Sequence, residues 1–152
     1  MPDPVDADSE IERVADSFLH SFVQRDWQAL QTLIAEQAAW SMPGTGVLSG
    51  TVIGPAALVG RARSIAAAGV HTEFRLALVG QHGVALILHN TATSPVDRHL
   101  DEDLATVLTI RDGRIHAIDT YLSDVAGKKS VLRLSQASSL PTRKKTAISA
   151  TR

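Results

Sequence analysis

The sequence predicts an α+β fold in which a curved antiparallel sheet wraps around N-terminal helices. Apolar residues recur at helical spacing in the first part of the chain and alternate at strand spacing in the later part, so helices and sheet are segregated. Asp112-Gly113 between two apolar runs marks a tight antiparallel hairpin. A chain of 152 residues is the size of one domain with one core.

Ile11, Val14, Ala15, Phe18, Leu19, Phe22 and Val23 fall along one helical stripe, and Ser9 with Glu12 fits a capping box that would start the helix. Asp26 is placed to cap a short second helix whose inward face is Trp27, Leu30, Leu33 and Ile34. Ala38 to Met42 reads as a short strand. Pro43, Gly44, Gly46, Gly50 and Gly54 punctuate the turn-rich stretch after it. Pro55 suits the first turn of a third helix with Leu58, Ala62 and Ile65 on one side and Gly69 at its end. Phe74, Leu76 and Leu78 then alternate with Glu73, Arg75 and Ala77. The turn from Gly80 to Gly83 leads into a second run, Val84 to Thr93. Leu104 to Arg111 and Arg114 to Ser123 form the last hairpin across Asp112-Gly113, a dipeptide suited to a type I′ turn.

Residues 1–8 read as an acidic extension with three aspartates, 9–126 as the domain, and 127–152 as a tail with seven basic and no acidic residues. The tail is expected outside the core, either solvated or serving an acidic partner. A formal net charge of −1 carries no footprint of nucleic-acid binding. No apolar stretch approaches the roughly 20 residues that cross a bilayer. The acidic start is unlike a secretory signal, so cytoplasmic residence is expected. The absence of cysteine removes disulfides, thiolate zinc sites and cysteine nucleophiles. His71, His82, His99 and His116 read as turn or surface residues, and no histidines show His-Glu-x-x-His spacing. There is no G-x-G-x-x-G after a strand and no Walker pattern. The expectation is therefore no metal and no cofactor.

The segment Ala38-Ala39-Trp40-Ser41-Met42-Pro43-Gly44, then Leu48-Ser49-Gly50 and Gly54, resembles the W-x-x-P-G…L-x-G…G stretch of SnoaL-like proteins. Leu100-Asp101, Ile110 to Ile115 and Tyr121-Leu122-Ser123-Asp124 are similar to that family's final hairpin. The resemblance spans about residues 9 to 126. It implies the cone of the nuclear-transport-factor-2-like (cystatin-like) superfamily, one small-molecule pocket and a homodimer. The fold hosts isomerases, cyclases, dehydratases, epoxide hydrolases and plain binding modules, so the site must decide among them.

If Asp112-Gly113 is a two-residue turn, Arg111 faces Arg114, each step back along one strand matches a step forward along the other, and Thr106 lies opposite Asp119. Leu104, Leu108 and Ile110 then share a face with Ile115, Ala117, Asp119 and Tyr121. A carboxylate on an apolar wall is a group suited to taking or giving a proton near neutral pH. Asp119 is thus the expected general base, unless it only bonds Thr106 or sits in water at the rim. Tyr121 on the same face is a candidate donor to a developing enolate, or else rim packing. His89 lies beside Leu104 and Tyr121 if Thr93 pairs with Leu100, and a slip of one residue turns it outward. The family resemblance favours inward, with a role in ligand contact or proton shuttling.

Trp40 is a candidate wall for a ring-shaped ligand. Laid over the pattern of ketosteroid isomerase, Phe18 falls at its tyrosine donor, Met42 at its aspartate base and Thr106 at its second aspartate, which argues against that activity. These three, with Trp40 and Leu104, are the candidate substrate-binding residues. The expected function is cofactor-independent general acid/base chemistry of aldol-cyclase, isomerase or dehydratase type on a small apolar carbonyl compound. A non-catalytic ligand-binding or dimerisation module is the alternative. A limonene-epoxide-hydrolase-like enzyme would need an Asp-Arg-Asp set; Arg61 or Arg75 could supply the arginine, but no second inward aspartate is evident.

Overall fold

The computed structural model describes residues 4–46, 48–93 and 99–123. The basic tail expected outside the core lies outside the described residues.

Helix α1 spans Pro4–Gln24, α2 Trp27–Thr32 and α3 Pro55–Ala67. The strands are β1 Ile34–Met42, β2 Gly50–Ile53, β3 His71–Gly80, β4 Gly83–Thr93, β5 His99–Arg111 and β6 Arg114–Leu122. They form one open, curved, six-stranded sheet in the order β2-β1-β6-β5-β4-β3. All pairings are antiparallel except β1 with β6, which run parallel and make the sheet mixed.

The stripe on α1 buries Ile11, Val14, Ala15 and Phe18 in the core. The Ser9 capping box does not form, because the helix already begins at Pro4 and Ser9 lies within it. The Asp26 cap is present: its side chain accepts from the Ala29 N–H at 3.1 Å. Ile34, expected on α2, instead opens β1. Pro55 starts α3 as predicted. The helices pack on one face of the sheet, where Val84, Leu86, Leu88, Leu104, Leu108, Ile110, Ile115 and Ile118 complete the core. Gly83 is required at the start of β4, since a Cβ there would run into the backbone carbonyl of Leu108.

The last hairpin turns as predicted, with positive φ at Asp112 (53°) and Gly113 (72°). Its register does not run on unbroken. Ile110 pairs with Ile115, but the next pair is Thr109 with Ala117, so His116 is an extra residue on β6. One inserted residue reverses the faces of everything beyond it. Thr106 therefore lies opposite Thr120 and not Asp119, and Val107 faces Asp119. On the neighbouring ladder Thr93 pairs with His99, one step from the pairing that would have turned His89 inward.

Candidate functional site: a cavity between helices and sheet

The concave face of the sheet encloses, with α1, α3 and Met42, Pro43, Gly46, Leu48 and Ser49, a cavity of about 560 Å³. Its walls are mainly apolar and include Phe18, Phe22, Trp40, Met42, Ile65, Leu88, Leu100, Leu104 and Leu122. All five candidate substrate-binding residues, Phe18, Trp40, Met42, Leu104 and Thr106, line it. Strand alternation explains why: Leu100, Glu102, Leu104 and Thr106 are every second residue of β5 and share its inner face.

The three candidate catalytic residues are not on this wall, which corrects the register expectation. The bulge at His116 turns Asp119 and Tyr121 to the outer face, where Tyr121 is 62% exposed. The one-residue offset between β4 and β5 does the same to His89. Its imidazole lies on the outer side between two aspartates, with Nε2 2.7 Å from Asp101 Oδ1 and Nδ1 2.7 Å from Asp103 Oδ1. The hydrogen bond and charge of Asp103, helped by Asp101, raise its pKa above the ordinary histidine value, against desolvation and the charge of Arg75. The reason for giving these three residues proton chemistry in the pocket falls away with their position.

Two rows of polar side chains cross the inner face instead. In the deeper row, Thr106 pairs with Thr120, and the Trp40 indole N–H donates to Thr120 Oγ1 at 3.0 Å. In the second row, Thr72 pairs with Asn90 and Asn90 with Glu102. Thr72 Oγ1 donates to Asn90 Oδ1 at 2.7 Å. Asn90 and Glu102 are each 8% exposed, and both line the cavity. Sequence reasoning missed both. The signal was present: had β5 been carried back to His99, the alternation Leu100, Glu102, Leu104, Thr106, Leu108 would have placed a carboxylate among apolar neighbours.

Arg61 braces the other wall. Its Nη1 donates to the Trp40 carbonyl at 2.7 Å and its Nη2 to the Ser49 carbonyl at 3.3 Å, while the guanidinium lies 5.6 Å from the Trp40 ring centroid. Burial holds its pKa below the ordinary arginine value. Ser49 in turn donates to the Pro43 carbonyl and accepts from the Gly46 N–H, each at 3.0 Å. The indole, the turn and the arginine are thus one hydrogen-bonded unit.

Among the described residues, no group of three or more His, Asp or Glu side chains is placed to hold a metal ion. Among the described helices, none is long and apolar enough to cross a membrane.

A curved sheet holding helices on one face, with a pocket between them, defines a cone-shaped α+β domain of the cystatin-like class. The sequence profile described as the SnoaL-like domain matches residues 15–118, and the chain belongs to that family. Solved structures agree on the fold. The chain is similar to an NTF2-like protein from Burkholderia xenovorans LB400, with 22% identity and a TM-score of 0.66 over 75% of this chain and 89% of the other. A protein with a cystatin-like fold from Xanthomonas campestris gives 18% identity and a TM-score of 0.69, covering 79% and 95%. TerC, co-crystallised with polyporic acid, gives 17% and 0.64, covering 74% and 90%. No curated protein sequence matches the chain.

Proposed function

We propose that the cavity binds a small apolar carbonyl compound and that Glu102 exchanges a proton with it, without a cofactor. The observation that carries this reading is a carboxylate, 8% exposed, on the wall of a pocket otherwise lined mainly by apolar side chains. A cavity of that volume suits a compound of one to three rings. A carboxylate within reach of a carbon next to a carbonyl can take its proton as the electron pair moves to the carbonyl oxygen, then return it. This keeps the acid/base chemistry expected from the sequence and moves it from Asp119 to Glu102. The ligand in the TerC crystal and the family's fold support a small-molecule pocket here.

Deuterium uptake next to the carbonyl of deoxybenzoin in D₂O, followed by proton NMR, tests the reading. The protein should accelerate uptake over buffer, Glu102→Gln should lose the acceleration by about 10²-fold or more, and Asp119→Asn should keep it. A wild-type protein that binds the ketone but does not accelerate exchange would overturn the catalytic role and leave the ligand-binding module.

The outer face supports a second element of the proposal, a homodimer. A sheet with one face in water carries polar residues at outward positions. Here the outward positions of the three strands from β3 to β5 include Leu76, Leu78, Ala85, Ile87, Ala105 and Val107, and Leu78 is 55% exposed. A second copy of the chain over this face would remove that apolar surface from water.

A further inference from the structure

The side chains of Asn90 and Glu102 stand next to each other on the cavity wall, at directly opposed positions of β4 and β5. What they offer a ligand differs. The Thr72 hydroxyl occupies the amide oxygen of Asn90 at 2.7 Å, which leaves the amide's NH₂, a pure donor, for the cavity. Glu102 offers acceptor oxygens. It also makes a contact within the protein, but the roughly four lone-pair sites of a carboxylate leave room for a ligand donor as well. Opposed side chains on one sheet face have Cβ atoms about 5 Å apart, so the donor and acceptor can converge on oxygens of neighbouring ligand atoms.

We infer that this row selects an α-hydroxy ketone carrying apolar substituents. The ligand's carbonyl oxygen accepts from Asn90 Nδ2, the hydroxyl on the adjacent carbon donates to Glu102, and the substituents pack against Trp40, Phe18, Leu88 and Leu104. The inference rests on the cavity being the ligand site proposed above and narrows carbonyl compounds to this class. Buried polar groups give strong selection, because a ligand lacking the matching oxygen leaves one of them unpaired. Thr72 acts through Asn90 by fixing which end of the amide faces the pocket.

The test uses three ligands of one shape: benzoin, deoxybenzoin, which lacks the hydroxyl, and 1,2-diphenylethanol, which lacks the carbonyl. Affinities are read by displacement of the uncharged fluorophore N-phenyl-1-naphthylamine from the full chain. Benzoin should bind about tenfold more tightly than either relative. Asn90→Leu should abolish the preference for benzoin over 1,2-diphenylethanol, and Glu102→Leu should abolish the preference for benzoin over deoxybenzoin. Equal binding of the three ligands by the wild-type chain overturns the inference without any variant having to fold. So does an Asn90→Leu variant that weakens all three alike. In either case a bound fluorophore leaves the cavity standing as a ligand site. A fluorophore that does not bind at all removes the cavity reading and the selection together.

Discussion

The bond from the Trp40 indole to Thr120 ties β1 to β6 in the pocket's deeper row, and its strength can be worked from the structure. In Trp40→Phe the Thr120 hydroxyl, itself buried, loses its donor, at a cost of about 2 kcal/mol. The smaller ring leaves a void worth about 1 kcal/mol, and the contact with Arg61 at 5.6 Å weakens, by about 0.5 kcal/mol. The single substitution should cost about 3.5 kcal/mol. Thr120→Val should cost about 2 kcal/mol, because it leaves a buried indole N–H unpaired. When both partners go, neither group is left stranded, so only the void, the weaker arginine contact and about 1 kcal/mol for the bond itself remain, and the double variant should cost about 2.5 kcal/mol where additivity would give about 5.5. Urea unfolding at a fixed pH, with an unchanged m value as the check on two-state behaviour, measures all four corners of the cycle. Losses that add to within about 0.5 kcal/mol would refute the reasoning, since they would mean that the indole and the hydroxyl are not coupled in solution.

Two further outcomes follow from the outer face. His89 has a folded pKa raised by Asp103 and Asp101, with Glu73 opposite it on β3 and Arg75 nearby. Its contribution is fully present below the unfolded value of about 6.5 and is lost as pH rises through the higher folded value. The urea midpoint of the wild type should therefore fall between about pH 6 and about pH 8.5 by more than that of His89→Gln; parallel curves would show that the bridge contributes nothing. Light scattering at micromolar concentration should give the mass of two chains, and Leu78→Glu should return it to one. A wild-type monomer would remove the second copy from the outer face.

The helical half was legible because its signals are local. The stripe on α1, the Asp26 cap and Pro55 each need only a few neighbouring residues to be read. The type I′ turn at Asp112-Gly113 was legible for the same reason. Phe18, Met42 and Thr106, placed by the overlay on the ketosteroid isomerase pattern, and Trp40 and Leu104, placed as apolar wall positions, all line the cavity. Which polar side chains face the cavity was not legible, because it depended on parity carried outward from the turn. Nothing about His116 announces that it adds one residue to β6. A bulge costs little and leaves both flanking strands with ordinary sequences, yet it exchanges the faces of Asp119 and Thr120. The β4–β5 connection posed the same problem, for an offset of one residue decides whether His89 faces the pocket or the solvent side.

That parity also explains why one acid, and not its neighbours, faces the cavity. Asp101, Glu102 and Asp103 are consecutive on β5, so an extended strand can turn only the middle one inward or only the outer two. A slip of one residue would bring two aspartates into the apolar pocket and take Glu102 out of it. His89 opposes this slip, because a single imidazole at 20% exposure bridges both outer aspartates at 2.7 Å, and in the slipped register those carboxylates would be out of its reach. The histidine assigned to the pocket from the sequence thus acts on the opposite face. There it helps hold the register that delivers Glu102 beside Asn90.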